Sequence, residues 1–516
     1  MTLNFNTYKD KVLGCFTGKN VGGTLGAPFE CMRGFFDVEF YTQDLSNGPP
    51  PNDDLDLQIV WLSAVERHGR SVNAHILGEY WLSHVVPHWV EYGMGKNNMR
   101  AGLVPPLSGY VDNNYRNSCG CFIRSEVWAC LAPGHPEIAA RYAYEDAIVD
   151  HAGEGVYGEI FCAALQSAAF AESDRDKLVE IGLSYIPAGS AVARCVKEAR
   201  RCHKAGVDFR EARKLINAVA PGAFGVQFTR RQDMKEDGLN IGAVGFDAPE
   251  NIGIAILAWY YGEGDFGKSL CLAVSCGEDT DCTAATLGAL MGIISGAAAL
   301  PEKWTAPLND KIETLCIDKT SWALWVPRTV TELAERILRL TPSFLGIHIC
   351  DILAADGYEI NMHAGDGLLA APQDYLPGAG GHAIDRKMDI SELYASPFVV
   401  RHEYPAFHVA LDYHDEPFFE TGKVRKLTVS VTDSGFTKQQ QWVNIRLWTP
   451  AGVTVDGGSE FFLPMNYNHG SKAEAAFTFT ATEEFGGGRL EMILDISLNG
   501  RHSAAPIRVV LMRRQE

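Results

Sequence analysis

Apolar residues recur at helical spacing through the first two thirds of the chain, in runs such as PEIAARYAYEDAIVDHA (136–152) and EIFCAALQSAAFAES (159–173). The texture changes near residue 340. After residue 393 the pattern alternates and is rich in β-branched positions, as in RKLTVSVTD, VNIRLWTPAG, AAFTFTATE, LEMILDISLNG and PIRVVLMRR. Turn signals (DGG, GGG, NG) separate these runs. The pattern predicts a multidomain α + β chain: a helical domain over 1–340, a connector over 341–392 rich in Gly, Asp and His, and an antiparallel β-sandwich over 393–516.

Two stripes of small residues stand out within the helical part. Gly14, Gly18, Gly22 and Gly26 fall four apart, as do Ala284, Gly288, Gly292 and Gly296. On a helix that spacing lines them along one face. Each helical glycine costs up to about 1 kcal/mol relative to alanine, so their repetition indicates backbones that approach closely. We expect the two helices to pack near each other, the alternative being that each packs against a third. The first stripe runs into GAPFE, where Pro28 disfavours helix in the residue before it and presents Glu30 on a loop.

Two acid clusters open apolar helices. PPPNDDLDLQIVW places Asn52 or Asp53 as N-cap before a helix that is apolar almost all round. CGEDTDCTAATLG places Glu278, Asp279 and Asp281 directly before the second stripe. Acids at a helix start are also accounted for by capping and by the helix dipole. Taken together, however, the clusters would crowd carboxylates whose pKa values rise sharply unless a cation neutralises them. Oxygen ligands select a hard ion, favouring Mg²⁺ over zinc and leaving Mn²⁺ or Ca²⁺ open.

Composition narrows the function class. The chain has 516 residues, enough for two or three domains. Its 64 acidic against 45 basic residues give a net charge of -19, which argues against a duplex nucleic-acid or anionic-membrane partner. A small anionic ligand remains compatible. The 13 scattered cysteines contain no C-x-x-C pair and read as free thiols in a reducing cytoplasm. No secretion signal opens the chain, and the apolar stretch Ala284 to Leu300 is too short to span a bilayer.

The motifs GGTLGAPFE, NDDL and EDTDC, in that order, make residues 8–340 resemble the ADP-ribosylglycohydrolase family, relatives of dinitrogenase-reductase-activating glycohydrolase. SCGCFIRSEVW and DAIVDHAGEGVYGE are similar to further family segments, whereas the sandwich lies outside the resemblance. The resemblance implies an all-α catalytic domain that binds two Mg²⁺ ions around a terminal ribose, with Mn²⁺ as an alternative. By position it implies metal ligands at Asn52, Asp53, Asp54, Asp279, Asp281 and Cys282. It implies catalytic roles for Glu30, Asp53 and Asp54, and substrate contacts from Arg124, His151, Tyr157 and Glu159. The chain departs from the family pattern at Asn52, Leu55 and Cys282, each in place of a threonine, and at Gly23, where relatives often carry aspartate. A thiol is a poor Mg²⁺ ligand. Asp56 adds a carboxylate of undefined orientation.

The implied reaction is a hydrolase's: water attack at the anomeric carbon of an ADP-ribosyl conjugate through an oxocarbenium-like state. A hydrolase of another furanosyl substrate is the second reading, since few basic residues near the motifs could serve a pyrophosphate. A non-catalytic binder of ADP-ribose or sugar is the third. The sandwich could support a homo-oligomer or close one side of a pocket. GCFTGKN is not a phosphate loop, because its first glycine is misplaced and no Ser or Thr follows Lys19. His348, His363, His382, His402, His408 and His414 show no tight ligand spacing and read as loop and strand residues.

Overall fold

The two glycine stripes meet. In the computed structural model, which describes residues 1–220, 238–239, 245–320, 324–370, 396–434, 440–466 and 471–514, the helix Phe5–Gly26 packs along the helix Thr280–Ser295. A Cβ added at Gly14, Gly18 or Gly22 would strike the carbonyl oxygens of Gly292, Gly288 and Ala284 respectively. At Gly26 it would strike the backbone of Asp281. Small residues are therefore required on both faces, and the contact locks the register of the pair. The second helix is buried over nearly all its length, as its apolar sequence implies, and the first is buried from Val12 onward over most of its length.

The chain divides into two compact units, Met1–Met94 with Asn113–Ala371, and Gly95–Asp112 with Pro372–Glu516. The first unit is helical around the glycine pair. It also contains a small antiparallel sheet that the sequence pattern does not signal, in which Thr2–Asn4 and Cys350–Asp351 both pair with Glu359–Asn361. These strands are only two or three residues long, too short for a period-two pattern to emerge. The start of the expected connector is thus folded structure, and its residues 371–392, with His382, lie outside the described residues. No described helix is long and apolar enough to cross a membrane.

The second unit is an antiparallel sandwich of two five-stranded sheets. One sheet runs Glu460–Met465, Gln441–Trp448, Arg489–Leu498, Ala504–Arg513, Phe418–Phe419, its last pair parallel. The other runs Val453–Asp456, Lys472–Ala481, Val424–Asp433, Phe407–Asp412, Val399–Glu403. Alternate residues such as Leu427, Val429 and Val431 face the shared core, which is the strand periodicity read from the sequence. Leu103, Leu107 and Val111, from the segment between the two parts of the first unit, complete that core.

Candidate active site

The glycine pair carries the end of one helix to the start of the other. The Thr280 hydroxyl donates to the Gly26 carbonyl at 2.8 Å, tying the start of the second glycine helix to the end of the first. Beyond Gly26 a 3-10 turn over Ala27–Phe29 releases Glu30, as the Gly-Ala-Pro sequence implies. On the other side, Gly277 and Glu278 both take left-handed backbone conformations (φ 72° each) in a short ribbon with Met32–Arg33. This turn sends Glu278 one way and Asp279 and Asp281 the other. Asp279 is the residue before the helix; its carboxylate lies toward the Cys282 N–H without closing a well-formed capping bond. A cap at Asp279 leaves Asp281, in the first turn, unaccounted for.

The first cluster is different. Asn52 is the N-cap of the helix Asp53–His68, its side-chain oxygen accepting from the Asp54 N–H at 2.7 Å. A Cβ at Gly23 would collide with the Asn52 amide, so the glycine makes room for the asparagine. Asp56 turns away from the other acids and accepts from the backbone N–H groups of Leu315 and Cys316.

These elements frame a cleft of about 650 Å³ whose lining includes Glu30, Asp53, Asp279, Asp281 and Cys282. Trp89, Tyr92, Tyr115 and Phe246 supply aromatic walls. Ligand atoms of Glu30, Asp279 and Asp281 lie within 4.8 Å of one another, and so do those of Asp54, Asp281 and Cys282. Asp281 belongs to both groups. The Tyr92 hydroxyl donates to Oδ2 of Asp53 at 3.0 Å. Burial, with Asp53 and Asp279 nearby, pushes Asp54 up to about 7 although the Lys19 ammonium opposes the shift. Burial and the charges of Glu30, Asp279 and Asp54 push Asp281 well above the carboxylate range. Burial likewise holds Cys282 as a neutral thiol.

The donor set suits a divalent cation. Oδ2 of Asp54 and Oδ1 of Asp281 are buried, and no hydrogen-bond donor reaches either among the described residues. Buried carboxylate oxygens without donors cost several kcal/mol unless protonated or bound to a cation. Mutually repelling acids held by rigid helix ends are what a cation site needs before the cation arrives.

Several residues that shape the site escape sequence reading. Lys19 is buried, 3.5 Å from Asp54 and 3.2 Å from Glu126, and provides the local positive charge. Gln58 and Gln166 donate to the same Glu126 at 3.0 and 3.1 Å. The signal for Lys19 was a lone cation inside a glycine stripe that must be buried. Glu278 is likewise structural, held by Arg33 at 2.5 Å and Arg213 at 2.9 Å, with Glu250 2.7 Å from Arg213. Replacing Glu278 by alanine strands two buried guanidinium groups facing one remaining carboxylate. We expect urea titration to show a loss of about 3–5 kcal/mol of stability.

Arg124, His151 and Glu159 come together, but not on the cleft lining. Arg124 is fully buried and donates to Asp146 at 2.8 Å, Asp150 at 2.6 Å and the Gly120 carbonyl at 2.9 Å. Its guanidinium also lies against the rings of Trp61 and Trp81. His151 sits between Ser118 at 2.7 Å and Asp150 at 2.9 Å. Burial lowers its pKa more than Asp150 raises it. Burial and Asp146 hold Glu159 protonated. Tyr157 is half-buried in the first turn of the helix Glu154–Ala168 and is not among the lining residues. Because Gly120 and Cys119 do line the cleft, this network acts on the site by fixing the 118–120 loop.

The helical unit thus brings carboxylates from two helix starts to one aromatic-walled cleft. The family model for ADP-ribosylglycohydrolase matches residues 4–343, and the chain belongs to that family. Membership makes it an enzyme of the glycosyl-hydrolase class. A solved structure described as an "ADP-ribosylglycohydrolase-related protein complex" is 20% identical with a TM-score of 0.43, covering 66% of this chain and 99% of that one. No curated protein matches the chain.

Proposed function

We propose that the chain is a Mg²⁺-dependent glycohydrolase that cleaves the anomeric bond of an ADP-ribosyl conjugate by water attack. The observation that carries this reading is the gathering of ligand atoms around Asp281, with Asp54 and Cys282 in one group and Glu30 and Asp279 in the other, and the buried oxygens of Asp54 and Asp281 that no donor among the described residues satisfies. Asp54, Asp279 and Asp281 would hold the ion, with Asp53 and the Asn52 amide oxygen at its edge. A divalent ion there supplies orientation of ribose hydroxyls and a water of lowered pKa. Tyr92 holds one oxygen of Asp53, which fixes the carboxylate and leaves the other oxygen as base for the attacking water. Glu30, partly buried where the first glycine helix ends, assists proton transfer to the departing group. The aromatic walls exclude water and offer stacking area. Arg124 and His151 act as positioning residues through the 118–120 loop.

One observation favours a different furanosyl substrate. Among the described residues that line the cleft there is no lysine or arginine, so a diphosphate finds no cationic side chain there. Chromatographic detection of ADP-ribose released from ADP-ribosylated arginine, with Mg²⁺ and after chelation, separates the readings. Metal-dependent release supports the proposal. Release only from ribosyl conjugates lacking the diphosphate would replace it with the second reading, and failure of every ribosyl conjugate would leave a binding protein.

Cys282 offers a gain-of-affinity test. Threonine there would restore a hydroxyl oxygen to the Asp54–Asp281 group in place of a neutral thiol. Calorimetry on Cys282→Thr should show Mg²⁺ binding about tenfold tighter than in the parent, a gain of about 1.4 kcal/mol.

A further inference from the structure

A second set of ligand atoms gathers outside the cleft. His135 leads into the helix Pro136–Ala147, and Glu137 lies in its first turn. His363 follows the strand Glu359–Asn361, and its N–H donates to the Gly134 carbonyl at 3.1 Å. Oε1 of Glu137 lies 3.2 Å from Nδ1 of His135 and 3.1 Å from Nε2 of His363. The two imidazoles meet edge to face with centroids 4.5 Å apart. One ligand atom from each of the three residues falls within 4.8 Å of the others.

The tautomer of His135 is decisive. Its Nε2 is 2.7 Å from the Asn361 carbonyl oxygen, which only accepts, so Nε2 carries the hydrogen. In a neutral ring Nδ1 then presents a lone pair, and it faces a carboxylate oxygen that also only accepts. Two lone pairs at that separation need a positive centre between them. A second proton on His135, with His363 donating its Nε2 hydrogen to the same oxygen, would supply it, and so would one cation shared by all three ligand atoms. Tetrahedral zinc with bonds of about 2.1 Å sets neighbouring ligand atoms about 3.4 Å apart, close to the two separations found. The Asn361 carbonyl is then the outer partner that orients a ligating imidazole.

The geometry points to a zinc-class site formed by His135 Nδ1, Glu137 Oε1 and His363 Nε2, with water completing the shell. Two imidazoles and one carboxylate select a first-row transition ion and discriminate against Mg²⁺. His135 is buried, while Glu137 and His363 expose 30% and 44% of their side chains, leaving an entry path. The ion clips a strand end to a helix start across 226 positions of sequence. Its role is therefore structural, and separate from hydrolysis.

The test is zinc calorimetry on the full chain in excess Mg²⁺, repeated on Asp279→Ala with Asp281→Ala, on His363→Ala and on Glu137→Gln. One equivalent of Zn²⁺ should bind to the parent and to the double aspartate variant alike. Binding should weaken about a hundredfold or more in His363→Ala, a substitution at a half-exposed side chain that the fold tolerates. The Co²⁺-loaded parent should show the visible d–d bands of a low-coordinate nitrogen–oxygen site, absent in His363→Ala. Zinc should raise the melting temperature of the parent but not of His363→Ala. No Zn²⁺ binding to the parent, binding lost with the aspartates, or equal affinity in His363→Ala would each overturn the assignment.

Discussion

Replacing Asp279 and Asp281 together by alanine is expected to lower glycohydrolase turnover about a thousandfold, corresponding to about 4 kcal/mol of transition-state stabilisation. Stoichiometric Mg²⁺ binding should vanish with it. The stability of the same variant supplies the discriminating measurement. If these acids were helix caps, their removal would cost about 1 kcal/mol in any buffer. Asp279 closes no well-formed capping bond, burial pushes its pKa up, and burial with the charges of Glu30, Asp279 and Asp54 pushes Asp281 up. Without metal the parent carries this repulsion, and the variant does not. In chelator the variant should therefore melt at the parent temperature or above it, and the order should reverse when Mg²⁺ is added. A variant that melts lower in chelator would show that the acids hold the fold rather than an ion.

The second large effect concerns the glycine contact. Gly18→Ala should destabilise the protein by about 3 kcal/mol, even though alanine gains up to about 1 kcal/mol of helix propensity over glycine. The added carbon falls on the Gly288 carbonyl, which is backbone and cannot rotate aside. Relief comes only from separating the helices, and separation pulls Asp281 away from Glu30 and Asp54. Activity should fall further than the loss of folded protein explains. Gly189→Ala is the control, because an added carbon there meets no heavy atom within 4 Å. Guanidinium titration and residual activity at a temperature where both variants are folded would separate the two effects. Equal stability in Gly18→Ala and Gly189→Ala would overturn the packing account.

Much of this site was legible because its determinants are periodic or local. A four-residue glycine repeat has one geometric meaning on a helix, and two such repeats of equal length invited the pairing now seen between Gly18 and Gly288. Asn52 was legible as a cap because it follows three prolines and precedes an apolar run. The alternation around Leu427, Val429 and Val431 identified the sandwich in the same way. What stayed hidden depends on distant partners. Nothing local separates Glu278, bound by Arg33 and Arg213, from Asp279, the next residue, in the cleft wall. The difference is a pair of left-handed residues, one of them a glutamate, that no propensity favours. Lys19 and Glu126 meet across 107 positions, and His135 finds Asn361 across 226. The resemblance implied a substrate contact at Arg124, and nothing local shows that its side chain also pairs with Asp146, in the second helix further on, and with Asp150 beyond that helix.

The order in which the chain is made gives the glycine contact another meaning. Thr280 bonds to Gly26 across 254 positions, and the amino terminus bonds to Met362 across 361. The first helix is rich in glycine, a poor helix former, so it gains little order before its partner arrives. During synthesis, the opening segment must wait until residue 295 has left the ribosome before its stripe can be covered. Its terminal strand waits longer still, for residues 359–361. A nascent chain halted before residue 280 would expose the glycine face and the first acid cluster. Proteolysis of stalled chains should therefore cut within the first 26 residues, and protection there should appear only once both distant partners have emerged.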